Sequence, residues 1–154
     1  KEDILYEVLL EEMEQIITPI IHLEKDEQAN PIDQLRTVIE SHLRITLSYR
    51  RSAKLLFDVG LDQLPGQRRH TFVAMRDRYD QIIRNIIQRG IDLDLFPEVN
   101  KKLAGFMIAS MITRSRLWYH PKKGVSISDL SDFIVNFSLN GLTGTKPVSF
   151  ELDS

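Results

Sequence analysis

The sequence predicts an all-α protein, a helical bundle of about six helices, on three observations. Apolar residues recur at three- and four-residue spacing through five long segments. No stretch alternates apolar and polar residues as a half-buried strand does, and no internal repeat is visible. The few prolines and glycines lie mostly between the apolar blocks, as in a globular helical protein. With 154 residues the chain forms one domain that buries about 70% of the surface its unfolded form would expose.

The first helix is expected over residues 4–23, where Leu5, Leu9, Met13 and Ile20 share one face with the acids opposite and Pro19 kinks the end. A polar connection, HLEKDEQANP, follows. Asn30-Pro31-Ile32-Asp33 then starts a helix. Asn30 is a capping type, Pro31 suits the first helical position, and Asp33 favours the positive end of the helix dipole. That helix runs to about residue 49, and a shorter one reaches Phe57. DVGLDQLPGQ is a loop. From 67 to 91 Phe72, Met75, Tyr79, Ile82, Ile83, Ile86 and Ile87 fill one arc, and Asp80 and Arg84 form an i,i+4 pair on the other side. GIDLDLFPEVN is a turn, and a helix over 100–119 follows, apolar nearly all round. Ser126-x-x-Asp129 is a capping-box start for the last helix, 127–141. Residues 1–142 form the domain and 143–154 a loose tail.

Net charge is −2, which gives the chain no general attraction for nucleic acid or an anionic membrane. The charge is uneven: nine acids against two lysines put −7 on residues 1–28, leaving +5 elsewhere. With no cysteine, disulfides, thiolate metal sites and cysteine nucleophiles are excluded, and a cytoplasmic location is expected. No apolar run is long enough to span a membrane and no signal peptide is present. The chain opens inside an amphipathic helix without an initiator methionine, as a piece of a longer polypeptide would.

The metalloprotease, hydrolase and nucleotide-binding motifs are absent. Residues three before the four histidines are Pro19, Ile39, Gln67 and Leu117, so the Glu-x-x-His pairs of di-metal bundles are missing too. No catalytic residue, metal or cofactor is expected. A binding cavity fits the residues better. Leu35, Ile39, His42, Thr46 and Tyr49 form one stripe, apolar with a few polar groups, as a ligand pocket is and as an ordinary satisfied core also is. Met107, Met111, Ser115 and Trp118 form a similar stripe, and Arg114 lies among apolar neighbours where a guanidinium needs a partner. With Tyr79, the candidate ligand residues are His42, Thr46, Tyr49, Met107, Met111, Arg114 and Trp118.

The final helix carries more apolar surface than one core needs. Ile127, Leu130, Phe133, Ile134 and Phe137 make one arc, and Val135 and Leu139 belong to a second, set apart on one side only by Ser131 and Ser138. Gly105 and Ala109 on the preceding helix would let another helix approach. Either the last two helices are a well-buried internal pair or they pack on a symmetric copy as a four-helix interface; the dimer is the stronger expectation.

The run MRDRYDQIIRNIIQRGIDLDLFPEVNKKLAGFMIASMITRSRLWYHPKKGVSISDLSDFIVNFSLNGL (75–142) resembles the carboxy-terminal regulatory domain of TetR-family transcription regulators, and KEDILYEVL resembles the segment after that family's DNA-recognition helix. The resemblance implies a homodimer built on the last two helices and a small apolar or amphipathic effector in the cavity. It implies operator DNA bound only through an amino-terminal helix-turn-helix absent from this chain, and repression as the expected role. The Trp118-Tyr119-x-Pro121 corner is similar to that of members sensing acyl-CoA or fatty-acid-derived molecules, with His120 where arginine is frequent. The competing expectation is a helical interaction scaffold with a filled core.

Overall fold

The computed structural model describes residues 2–48, 64, 66–120 and 124–143. Among them are five α-helices, one 3-10 turn and no strand. Helix α1 spans Glu2–Ile17, the 3-10 turn Ile21–Glu24, α2 Pro31–Ser48, α3 Gly66–Asp92, α4 Lys101–Trp118 and α5 Ile127–Thr143. The short helix expected before Phe57, and Tyr49, lie outside the described residues.

Helix α1 stops earlier than its apolar spacing predicts. Pro19 has no N–H to continue the ladder and disfavours helical backbone at Thr18. The last helical bond there is Thr18 N–H to Glu14 O at 2.9 Å. The 3-10 turn then carries the apolar register onward, so that Ile20 and Leu23 are still buried.

The caps expected at Asn30 and Ser126 form, and a third forms at Asn100. Asn30 Oδ1 accepts from the Ile32 N–H at 2.8 Å, opening α2. Asn100 Oδ1 accepts from both Lys102 and Leu103, opening α4. At α5 the Ser126 hydroxyl accepts from Asp129 N–H while Asp129 Oδ2 accepts from Ser126 N–H, each at 3.0 Å. These bonds from Ser126 hold the Asp129 carboxyl below the usual carboxylate range.

Helix α2 is the hub, packing on the other four helices. Its buried Leu35, Val38, Ile39 and Leu43 meet Ile82, Ile83, Ile86 and Ile87 of α3, Ile108 and Ile112 of α4, and Leu130, Ile134 and Val135 of α5 in one core. A smaller cluster of Leu9, Leu64 and Phe72 closes the far end of the α1–α3 pair. Helix α3 continues through Gly90, which the sequence places in a turn. The Phe96 ring lies against its bare Cα, where any Cβ would collide with the ring. The chain reverses just after, at Asp94 with φ 56°.

The polar connection before α2 is tied down by one side chain. The Arg89 guanidinium donates to the carbonyls of Asp26, Glu27 and Ala29 and to Gln34 Oε1, at 2.5–2.9 Å. Four charge-assisted bonds of this kind lock the turn to α3.

Helix α5 divides its apolar residues differently from the sequence expectation. Leu130, Ile134 and Val135 are buried in the subunit's own core, and Leu139 packs against it. Ser131 and Ser138, which look like a boundary between two arcs, are buried beside them. Small side chains at this seven-residue spacing let α2 and α5 lie close. Gly105 serves the same end within the subunit, its Cα side facing Ile83 of α3. Phe133 and Phe137 point outward, 67% and 59% exposed, their rings stacked 6.2 Å apart.

The Trp-Tyr corner separates its two aromatics. Tyr119 caps α4, turns inward and donates its hydroxyl to Val125 O at 2.9 Å, which holds the start of α5 against the end of α4. Trp118 points outward.

Candidate functional site

Helices α3 and α4 run antiparallel: Lys101 bonds Gln88, and Gly105 faces Ile83. Between them, α1 and one residue of α2 lies a cavity of about 880 Å3, within the range of small-molecule sites. Its apolar wall comes from Leu9, Met13 and Ile16 of α1, Phe72 of α3, and Phe106 and Ala109 of α4. The antiparallel register sets Arg84 and Lys102 at one end, and Phe72 and Arg116 at the other.

Four polar side chains, one each from α1, α2, α3 and α4, form two bonded pairs in the wall. Arg116 of α4 donates from Nη2 to Glu12 Oε1 of α1 at 2.8 Å, with side-chain exposures of 6% and 5%. His42 Nδ1 of α2 and the Tyr79 hydroxyl of α3 share a hydrogen bond of 2.6 Å, the rings meeting edge to face. Burial, and then the positive Arg116, push the His42 imidazole down to about 3, so it is neutral at neutral pH. Burial, and then the Asp80 charge, push the Tyr79 phenol well above its ordinary value. The imidazole and the phenol are therefore both uncharged at neutral pH. Glu12 Oε2 is buried with no hydrogen-bond partner.

The charged lining outside these two pairs runs from Arg76 to Arg84 along α3 and includes Lys102 of α4. Arg76 lies 3.4 Å from Asp77, and Arg84 lies 4.0 Å from Asp80. Burial raises the Asp80 carboxyl above its usual range, against the pull of Arg84. Lys102 stands over the Phe106 ring at 5.9 Å and has no carboxylate within ion-pair distance among the described residues. That leaves the rim with one positive charge in excess.

The structure brings His42 and Tyr79 together in the cavity wall, but not the other predicted ligand residues that it describes. Thr46 is fully buried in the core beyond it, its hydroxyl lacking a partner. Met111 is half-buried against the main core. Met107 (64% exposed), Trp118 (58% exposed) and Arg114 face outward. The reason is rotational: α4 is apolar on nearly all sides, so its pattern does not say which side faces the interior. The inward guanidinium is Arg116, two residues from the one expected. Ala109, expected at a subunit interface, lines the cavity. Sequence reasoning missed Glu12 as well. The signal was present, because Glu12 is three residues after Leu9 and four before Ile16 and so shares their buried stripe.

Among the described residues no cluster of three or more histidines and carboxylates could hold a metal ion, and no helix is long and apolar enough to cross a membrane.

The described residues thus form an all-helical domain with an open cavity of small-molecule size between its first four helices. The chain belongs to the TetR family of transcription regulators: the model of the tetracyclin repressor-like C-terminal domain matches residues 28–142. As a member it belongs among transcription factors and not enzymes. Solved structures agree on the fold. PfmR, a TetR-family transcriptional regulator from Thermus thermophilus, matches with a TM-score of 0.77 at 25% identity, over 95% of this chain and 77% of that one. The ketosteroid transcriptional regulator KstR2 of Mycobacterium tuberculosis matches at 0.80 and 16% identity, over 94% and 74%. AibR, in complex with isovaleryl coenzyme A and operator DNA, matches at 0.74 and 15% identity, over 88% and 73%. No curated protein sequence matches the chain significantly.

Proposed function

We propose that this domain is the effector-sensing, homodimerising part of a cytoplasmic TetR-type repressor, and that its effector is an amphipathic anion such as a fatty acyl-CoA. The observation that carries the reading is the cavity of about 880 Å3, apolar along its length and positive at the Arg84–Lys102 end. Such a shape accommodates a hydrocarbon body with an acidic end. So large an open volume is what a filled-core scaffold would lack. AibR, which shares the fold, is seen with an acyl-CoA.

Leu9, Glu12, Met13 and Ile16 put α1 in the cavity wall, so an occupant acts directly on the helix nearest the DNA-reading domain. The effector changes DNA affinity only as far as it binds one α1 position better than another. Dodecanoyl-CoA titrated into the protein by calorimetry is expected to bind in the micromolar range. Ala109→Trp, which fills the channel midway, is expected to weaken it at least tenfold. Absence of heat with the unmodified protein would reject the reading.

For the dimer, the supporting feature is an outward apolar surface on α4 and α5. It joins Met107, Leu117 and Trp118 to Ile127, Phe133 and Phe137, more exposed apolar side chain than two adjacent helices of a monomer usually carry. Phe133→Asp buries an unpaired charge in that interface and is expected to shift the protein to a monomer in sedimentation velocity. An unchanged dimer would place the interface elsewhere.

A further inference from the structure

We infer that His42 is a fixed hydrogen-bond donor in the cavity wall and selects effectors that carry a carbonyl oxygen partway along their hydrocarbon body; the inference rests on the sensor reading above. His42 and Tyr79 both line the cavity, and among the described residues each makes one side-chain hydrogen bond, to the other. Nδ1 is thus occupied by the phenol. Nε2 has no partner there, yet unlike Glu12 Oε2 it is not closed off from accessible space. The ring is only 4% exposed, so the access that Nε2 keeps is to the cavity the ring lines.

The pairing decides which nitrogen carries the hydrogen. Were it on Nδ1, the N–H would point at the phenol oxygen, and the phenol's own hydrogen would be buried with no acceptor among the described residues. With the Tyr79 hydroxyl donating to Nδ1, both groups are satisfied and the single imidazole hydrogen is on Nε2. Burial keeps the ring neutral, so it offers one donor and no charge. An alkyl chain laid against Nε2–H strips away its water and supplies no acceptor. A hydroxyl accepts, but brings a hydrogen of its own that needs a partner. A carbonyl oxygen only accepts.

The charged lining sets where along the ligand that carbonyl falls. A carboxylate is drawn to the half-buried Arg84 and the exposed Lys102, which offer opposite charge, rather than to a neutral ring. Tyr79 precedes Arg84 by five positions on α3, a rise of about 7.5 Å. An extended chain advances about 1.2 Å per bond, so an acid held at Arg84 puts the atom beside His42 about six bonds away. The class that fits is an oxo acid with its ketone in mid-chain.

Two measurements on the unmodified protein test this. In nitrogen-15 spectra at neutral pH, Nε2 of His42 should carry the hydrogen and Nδ1 should show the shift of an acceptor. Hydrogen on Nδ1 overturns the inference and leaves the sensor reading standing. By calorimetry, 7-oxododecanoate is expected to bind about fivefold more tightly than dodecanoate, although a ketone normally weakens binding to an apolar cavity. His42→Phe keeps a ring without the donor and should reverse the order. Tyr79→Phe frees Nδ1 and lets the hydrogen move between the two nitrogens, so it should shrink the preference even if the His42 variant does not fold. Equal or weaker binding of the oxo acid overturns the inference, as does a preference unchanged in either variant, since the ketone would then be held elsewhere. If neither acid binds while dodecanoyl-CoA does, the inference alone falls. If none of the three binds, the sensor reading falls and takes the inference with it.

Discussion

Replacing Arg116 alone with leucine should lower the unfolding free energy by about 3–5 kcal/mol in urea titrations, among the largest single-residue effects in the molecule. The loss comes less from the missing bond than from what remains. Glu12 is 5% exposed, and without the guanidinium at 2.8 Å it becomes a lone charge in an apolar wall. Changing both residues to leucine removes the uncompensated charge along with the pair. The double variant is expected to recover most of the stability, so the cycle should give a coupling energy of about 2–4 kcal/mol. Additive single losses would mean that the two side chains do not meet as described.

Acid should destabilise the protein through His42. Folding lowers the imidazole's pKa from 6.5 to about 3, so between those values the unfolded chain binds a proton that the folded chain refuses. The contribution is intact above pH 6.5 and is lost as the pH falls toward 3. Between pH 7 and pH 4 the unmodified protein should lose about 3 kcal/mol from this group. His42→Asn retains a polar atom near Nδ1 for the Tyr79 hydroxyl and does not titrate, so its stability curve should be flatter by that amount. Parallel curves for the two proteins would show that the imidazole is not excluded from protonation.

The helices are legible in the sequence because their signals are local. Asn30, Ser126 and Asp129 act on backbone groups within three residues, and the isoleucine arc of α3 is one face of one helix. The cavity is legible only in part. His42 and Tyr79 stand out as polar groups on apolar stripes, and the structure joins them across 37 positions. Glu12 shares the stripe of Leu9 and Ile16, but Arg116 is 104 positions away and nothing in the sequence pairs the two. Nothing local distinguishes Arg116 from Arg114 on a helix that is apolar on nearly every side. Which of them faces inward follows from how α4 is rotated, and that depends on Ile83 and Ile112 seated in the common core. Likewise the two buried serines of α5 look like polar punctuation until α2 is laid against them.

The mooring of residues 26–29 by Arg89 restricts how the first helix can travel. With that turn pinned to α3, and with Ile20 and Leu23 embedded in the core, a rigid swing of α1 has its fulcrum near Pro19. Its tip is tethered on the outside by the Arg68–Asp3 pair and by the Arg68 guanidinium 5.0 Å above the Tyr6 ring. Glu12 sits a little short of halfway from fulcrum to tip. A nudge of about 1 Å there becomes about 2.4 Å at Glu2, by the leverage of a straight rod rising about 1.5 Å per residue.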